Sequence, residues 1–270
     1  MIITKLNGGL GNQLFQYAAG RALSDRLSTS LYPDTDDFAL NFQTKRHYRL
    51  SSFKIKSAGF PASFVAKLPI FSSVKEQSFT FTHQLDKAKN FCRLTGYWQS
   101  PKYFSSIRAD LLKEIVPKRT IVYPTKLSNM LKAGGTVAIH VRRGDYTKDP
   151  AAIRLLGALS IAYYRKAVKR LSLQVKINHF IVISDDLPWC RINLKSLVPA
   201  KQTTYFSQGV IDDLMLMTKA SHNIIANSSY SWWGAWLNQN PEQIVIAPKN
   251  WFKPGTLSAK DLIPKTWIQV

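Results

Sequence analysis

The stretch Thr136-Val137-Ala138-Ile139-His140-Val141-Arg142-Arg143-Gly144-Asp145-Tyr146 decides the architecture. Its first half is a short apolar run of the kind that forms a buried strand. Its second half turns abruptly polar, with two adjacent arginines. Two permanent charges at the end of a buried strand are costly unless an anionic partner sits beside them. Arginine presents a planar fork of donors that suits phosphate oxygens. The segment therefore predicts a strand whose carboxyl end meets a phosphate-bearing ligand. His140 adds a ring donor or acceptor, and Asp145 adds an acceptor that fixes an arginine or reaches a base or sugar hydroxyl. A surface loop closed by a local Arg–Asp pair is the plainer alternative for the segment taken alone. An adhesion role for Arg143-Gly144-Asp145 rests on a tripeptide that arises often by chance.

Further strand-like runs follow at 180–183, 223–226 and 244–247, with helical stretches at 160–171 and 212–220 between them. Strands alternating with helices predict a parallel sheet with right-handed crossovers. Toward the amino end, 2–6 reads as a strand, Asn7-Gly8-Gly9-Leu10-Gly11-Asn12-Gln13 as a glycine turn, and the next residues as a helix with Leu14, Phe15, Ala18, Ala22 and Leu27 on one face. The middle, 51–131, is aromatic and basic and offers one clear helical piece at 101–112. These patterns predict two α/β units, 1–133 and 134–270, joined near 132–135 with a ligand cleft between them.

The bulk numbers narrow the classes. A chain of 270 residues with 45% hydrophobic and 20% charged residues is globular, not disordered. Cys92 and Cys190 stand far apart, which suits a reducing compartment and neither a disulfide framework nor a zinc site. The opening Met1-Ile2-Ile3-Thr4-Lys5 lacks a signal-peptide core and no apolar run spans a bilayer, so the expected location is the cytoplasm. The net charge of +21 admits nucleic acid, an anionic membrane face or an anionic substrate. The cations are dispersed, with no block resembling a nucleic-acid tail, which places peripheral contact with an anionic membrane ahead of nucleic acid.

Ligands of open parallel sheets sit beyond the carboxyl ends of the strands, and here those ends are polar. One carries His140, Arg142, Arg143 and Asp145; the next reads Ser184-Asp185-Asp186; a third reads Asn227-Ser228-Ser229-Tyr230-Ser231 before Trp232-Trp233-Gly234-Ala235-Trp236-Leu237. The third resembles a helix start, where free backbone N–H groups and the dipole favour phosphate. Arginines and helix start together bracket a diphosphate, leaving Asp185 or Asp186 for ribose or base hydrogens. Taken singly, these would be an ordinary N-cap and a solvated turn. The tryptophans read as core packing rather than a sugar platform.

Two competing motifs are weaker. Gly9-Leu10-Gly11 begins like a dinucleotide fingerprint, but Leu14 occupies the third glycine position. Asp34-Thr35-Asp36 resembles the acidic triplet that holds a metal–diphosphate in some glycosyltransferases. It stands in a Pro-containing stretch without a clear strand before it, and 34–37 reads as loop. Paired arginines neutralise a diphosphate without a metal. Nothing else has metal-ligand spacing, and His83, His140 and His179 do not cluster. There is neither a nucleophile elbow nor a P-loop.

Gly8 to Ala18, Gly96-Tyr97-Trp98-Gln99-Ser100, His140 to Tyr146, Ser184-Asp185-Asp186, Ile224 to Leu237, Ile246-Ala247-Pro248 and Trp251-Phe252 together resemble the bacterial α-1,2-fucosyltransferases of glycosyltransferase family 11. The resemblance runs almost end to end. It implies a GT-B-like α/β fold of two Rossmann-like domains facing across a cleft, the first on the acceptor side and the second holding the donor. It implies GDP-β-L-fucose as co-substrate, a galactose-ended oligosaccharide or lipid-linked glycan as acceptor, and no metal. Carried over by position, Arg142 grips the β-phosphate, His140 sits near the nucleoside, and Asp213 reads the guanine edge, with Asp212 beside it as the alternative. Ser228 and Ser229 hold phosphate oxygens, and the turn containing Asn12 and Gln13 faces the diphosphate. Arg142, Arg143 and the 227–229 donors then stabilise the departing GDP while the acceptor hydroxyl attacks the opposite face with inversion. Asp145, Asp185 and Asp186 are the candidate bases, and pinning to an arginine counts against Asp145. Another GDP-sugar or acceptor hydroxyl, a nucleic-acid-binding protein, and a silent sugar-nucleotide module are the alternatives.

Overall fold

The computed structural model describes residues 1–40, 46–58 and 70–270, with the backbone alone for 39 and 40. The chain divides into two compact units, Met1–Thr120 with Lys260–Leu262, and Ile121–Ala259 with Ile263–Val270. The division falls earlier than the junction near 133 read from the sequence. The helix Thr125–Ala133 accordingly belongs to the second unit.

The first unit is built on a four-stranded parallel sheet of order β2-β1-β4-β3. Its strands are β1 (Ile2–Lys5), β2 (Leu31–Asp34), β3 (Ser72–Lys75) and β4 (Cys92–Thr95). After β1 the chain turns through Gly8 at φ +71 into the helix Leu10–Arg26. That helix was expected to bury one face. It is buried nearly all round, including Gln13, Gln16 and Arg21. The sheet lies against one side: a Cβ on Gly20 would come within 2.9 Å of Leu31 Cδ1 and 3.1 Å of Thr4 Cβ. Phe104 meets Phe15 edge-on at 5.8 Å on another side. The buried polar side chains of this helix are hydrogen-bonded. Tyr17 donates to Glu114, and Arg21 Nε donates to Glu114 Oε1 at 3.1 Å.

The segment 34–37, read as loop, is instead a strand end and a helix start: Asp34 closes β2, and Asp36–Leu40 is helical. Pro33 hid the strand. It is tolerated because β2 is an edge strand, where a missing N–H costs no ladder bond. The acids diverge: Asp34 pairs with Arg93 at 2.7 Å and Asp37 with Lys5 at 3.0 Å.

The second unit holds a six-stranded parallel sheet of order β10-β9-β8-β5-β6-β7. Its strands are β5 (Thr136–Val141), β6 (His179–Ser184), β7 (Thr203–Phe206), β8 (His222–Ile224), β9 (Val245–Ala247) and β10 (Ile268–Gln269). Counted from β5, this is the Rossmann order, with the topological switch between β5 and β8. Val137, Ile139, Val141, Phe180 and Val182 alternate onto one face of the sheet. Tyr163, Tyr164, Ala167 and Leu171 from the helix Ile161–Ser172 cover that face, as does Cys190 from the helix Leu187–Asn193. The helices Val210–Lys219 and Ser229–Trp236 pack so closely that a Cβ on Gly234 would lie 2.7 Å from Met217 Cβ. Trp232 and Trp233 are fully buried there, in the packing role expected of them.

Candidate functional site

The switch point sets the place. β5 and β8 are hydrogen-bonded neighbours, so His140 to Arg143 and Ile225 to Ser228 leave the sheet side by side, with Asp185 and Asp186 beyond β6. Tyr146 ties two of these ends together, its hydroxyl donating to Asn227 O at 3.1 Å.

Arg142 is held from two directions. Its Nε and Nη2 lie 3.0 and 2.7 Å from Asp145 Oδ1, and Nη1 lies 2.9 Å from Asp185 Oδ2. Only the Nε contact to Asp145 has hydrogen-bond geometry and the other two are ion pairs, so most of the five guanidinium N–H donors remain for an anion. Tyr146 lies under the plane at 5.7 Å. Asp185 also accepts the Arg143 backbone N–H at 2.9 Å, and a Cβ on Gly144 would fall 2.6 Å from Asp185 Oδ2. Glycine is thus what lets the turn pass over that carboxylate. Arg143 Nε donates to Asp186 Oδ2 at 3.0 Å, and its guanidinium stacks on Trp189 at 4.1 Å. Asp186 caps the helix Leu187–Asn193 through the Trp189 N–H at 3.1 Å. That amide and the Arg143 guanidinium hold its carboxyl below the usual range.

His140 is buried, with Nδ1 out of water and unpartnered and its ring 5.4 Å from that of Tyr230. Burial and the Arg142 charge hold its pKa down at about 3, so the ring is neutral. An orphaned ring nitrogen of this kind has capacity for a ligand hydrogen bond. Asn227 is otherwise engaged: its Nδ2 lies within 3.1 to 3.3 Å of the carbonyls of Gly157, Trp251 and Leu156. Ser228 is the N-cap residue of Ser229–Trp236, with extended backbone and no side-chain cap bond. Ser229 opens that helix. Asp213 lies in the helix Val210–Lys219 and accepts from Ser207 Oγ at 3.0 Å and Gln208 N at 2.9 Å. Burial pushes its pKa up. Asp212 offers a backbone carbonyl to Tyr123 at 3.1 Å. Tyr230 joins this helix to the site, donating to Val210 O at 2.7 Å.

Asn12 and Gln13 belong to the first unit. Gln13 is fully buried and clips the chain at 47–49, donating to His47 O at 2.9 Å and accepting from Arg49 N at 2.9 Å. Asn12 accepts from Gln99 at 3.0 Å. Four residues had no role assigned from the sequence. Tyr146, Trp189 and Tyr230 support the arginines and His140; Glu76 accepts the N–H groups of Tyr97 and Trp98 at 2.7 and 2.9 Å and so holds Trp98 at φ +56. Trp189 carried a usable signal, standing three residues after a capping Asp. Among the described residues no three His, Cys, Asp or Glu side chains gather as around a metal, and no helix is long and apolar enough to cross a membrane.

A model of the glycosyl transferase family 11 matches residues 1–270. The chain belongs to that family. It is 30% identical to an Escherichia coli alpha-1,2-colitosyltransferase, over 100% of this chain and 99% of that protein. It is 29% identical to the Escherichia coli O-antigen biosynthesis glycosyltransferase WbnK, over 98% and 99% of the two chains. A mouse galactoside 2-alpha-L-fucosyltransferase, Sec1, is 26% identical over 55% of this chain and 42% of its own length. Among solved structures, fucosyltransferase NodZ from Bradyrhizobium superposes with a TM-score of 0.55 over 86% of this chain and 91% of its own, at 9% identity. NodZ alpha-1,6-fucosyltransferase soaked with GDP-fucose gives 0.52 over 87% and 91%, at 11% identity. The fold of this family 11 glycosyltransferase is therefore GT-B-like, an α/β architecture of two Rossmann-like units.

Proposed function

We propose that this glycosyltransferase moves L-fucose from GDP-β-L-fucose to the 2-hydroxyl of a galactose-ended glycan, inverting the anomeric carbon and using no metal. The observation that carries the reading is Arg142 at the switch point, ion-paired with Asp145 and Asp185 while only its Nε is used in a hydrogen bond. Cleaving the sugar–phosphate bond puts negative charge on the departing diphosphate, and a donor aimed there in advance stabilises the transition state more than the ground state. Arg142 takes the β-phosphate in this reading, and Arg143 adds charge from its seat on Asp186 and Trp189. Ser228 and Ser229 supply hydroxyls and helix-start amides. His140 offers a neutral ring nitrogen to the nucleoside, and Asp213 the guanine edge. Asn227 shapes the turn by donating to the carbonyls of Leu156, Gly157 and Trp251. Asp145, Asp185 and Asp186 orient the arginines. Asn12 and Gln13 serve the first unit, to which we assign the acceptor. The acceptor class is an oligosaccharide or a lipid-linked glycan, met at the inner face of the membrane.

A second donor is favoured by one finding, the full-length likeness to a colitosyltransferase. Colitose is fucose without its 3-hydroxyl. A site that hydrogen-bonds that hydroxyl rejects the deoxy sugar by about 10⁴-fold, whereas a site that merely encloses it discriminates weakly. The test is product formation from GDP-fucose and GDP-colitose with a panel of galactosides, with and without EDTA. The expected result is an EDTA-resistant α-1,2-linked fucoside. A colitoside in its place moves the reading to the second donor. Loss of product with EDTA overturns the metal-free route, and failure to bind GDP overturns the nucleotide site.

A further inference from the structure

The helices Ile161–Ser172 and Leu187–Asn193 lie on one face of the second sheet, where their inward residues form a single core with β5 and β6. Outward, these helices and the segments that follow them carry cations of one sign. Arg165, Lys166, Lys169, Arg170, Lys176, Arg191, Lys195 and Lys201 are all exposed. Between 161 and 206 the sequence has only two acids, Asp185 and Asp186, and both are engaged by the site arginines. Of the eight cations none pairs with an acid, and Arg191 alone has a partner, lying over Tyr205 at 4.4 Å. Arg165 and Lys169, like Lys166 and Arg170, stand four apart on one helix, a spacing at which like charges destabilise it. The helix dipole accounts for Lys169 and Arg170 in the last turn. It does not account for the others. Two large apolar side chains stand in the same layer, Leu173 at 72% exposure and Ile192 at 67%.

We propose that this layer is a docking face for an anionic lipid surface. Charge complementarity selects the partner's sign, since unpaired cations gather against anionic headgroups at about fivefold in affinity each, or about 1 kcal/mol. The exposed leucine and isoleucine select lipid over nucleic acid. An interfacial surface needs apolar side chains among the cations, and a phosphate backbone offers them nothing.

The experiment is flotation of the full chain with phosphatidylcholine vesicles and with vesicles containing one-third phosphatidylglycerol, at low and high salt. Binding is expected only to the anionic vesicles and is expected to weaken with salt. Lys166→Glu/Lys169→Glu/Arg170→Glu should reduce it by at least a hundredfold. Reversing as many cations in the first unit, Lys54→Glu/Lys87→Glu/Lys89→Glu, gives the same net charge and should reduce it far less. Leu173→Ser/Ile192→Ser should weaken vesicle binding at unchanged charge. Equal loss in both charge-reversal variants means net charge alone acts and overturns the face. Equal binding to neutral vesicles overturns it, as does an oligonucleotide that binds this layer and displaces the vesicles.

Discussion

Arg142→Lys separates charge from geometry at the candidate diphosphate site. The wild-type guanidinium touches Asp145 through Nε and Nη2 and Asp185 through Nη1. Only Nε donates a hydrogen bond, which leaves terminal N–H groups able to fork onto two phosphate oxygens. An ammonium keeps the charge but is a point donor that cannot satisfy both acids and still present a fork. At least one charged hydrogen bond to the leaving group is lost, about 1.5–3 kcal/mol, which is roughly a 10- to 150-fold fall in kcat. Arg142→Ala removes both bonds and should cost about 10² to 10⁴. It also leaves Asp145 and Asp185 facing the diphosphate without their cation. Steady-state kinetics with GDP-fucose and a galactoside, beside calorimetric GDP binding, make the measurement. GDP affinity of the Lys variant should fall by only a few fold, because the bond matters most where charge develops. A Lys variant within about threefold of wild-type kcat would refute the geometric reasoning. A fall in GDP affinity as large as the fall in kcat would show uniform binding instead.

Three other outcomes follow from the structure. His140 is held at about 3, below the value of about 6.5 for a free imidazole, so the unfolded chain takes up its proton first as pH falls. Its contribution is complete above about pH 6.5 and fades toward pH 3 by roughly 1.4 kcal/mol per unit. Urea unfolding at pH 7 and 5.5 should therefore show a smaller loss on acidification in His140→Gln than in wild type. Tyr17→Phe strips Glu114 of a donor and the Lys56 N–H of its acceptor at 2.9 Å, which should cost about 1–3 kcal/mol and lower Tm while leaving donor affinity unchanged. Gly234→Ala gains about 1 kcal/mol of helix propensity but drives a methyl to 2.7 Å from Met217 Cβ, so Tm should fall.

The legibility of this fold tracked exposure. β5 was read to its ends because a fully buried parallel strand is one apolar run, bounded here by Gly134-Gly135 and Arg142. β3 went unread because Ser72–Lys75 is an exposed edge with no apolar face to show. β7 is the opposite case of the same kind, an edge strand opening on two threonines. β2 was hidden by Pro33, which only an edge position permits. The burial of the first helix on nearly every side was unreadable because its second partner is the middle region, whose contacts are not local in sequence. At the site, the Arg142–Asp145 pair was visible as neighbours three apart. The Asp185 contact was not, since it depends on β5 and β6 lying side by side.

That contact changes what the acids of the site are for. Read as sequence, Asp185 and Asp186 were acceptors for ribose or base, and with Asp145 they were candidate bases. In the structure all three lie on guanidinium groups: Asp145 and Asp185 on Arg142, Asp186 on Arg143. A general base must take a proton near the working pH, and ion pairing with a permanent cation works against that. Asp186 is moved the wrong way, with its carboxyl already below the usual range. The objection first raised against Asp145 therefore extends to Asp186. Three carboxylates around two arginines are better understood as a holder, which fixes the direction of the charge before the substrate arrives. Such preorganisation is what makes an arginine effective when the leaving group departs, because no reorientation is then required during the step. Neutralising any one of the three should lower kcat without moving the acidic limb of its pH profile, whereas loss of a true base would remove that limb.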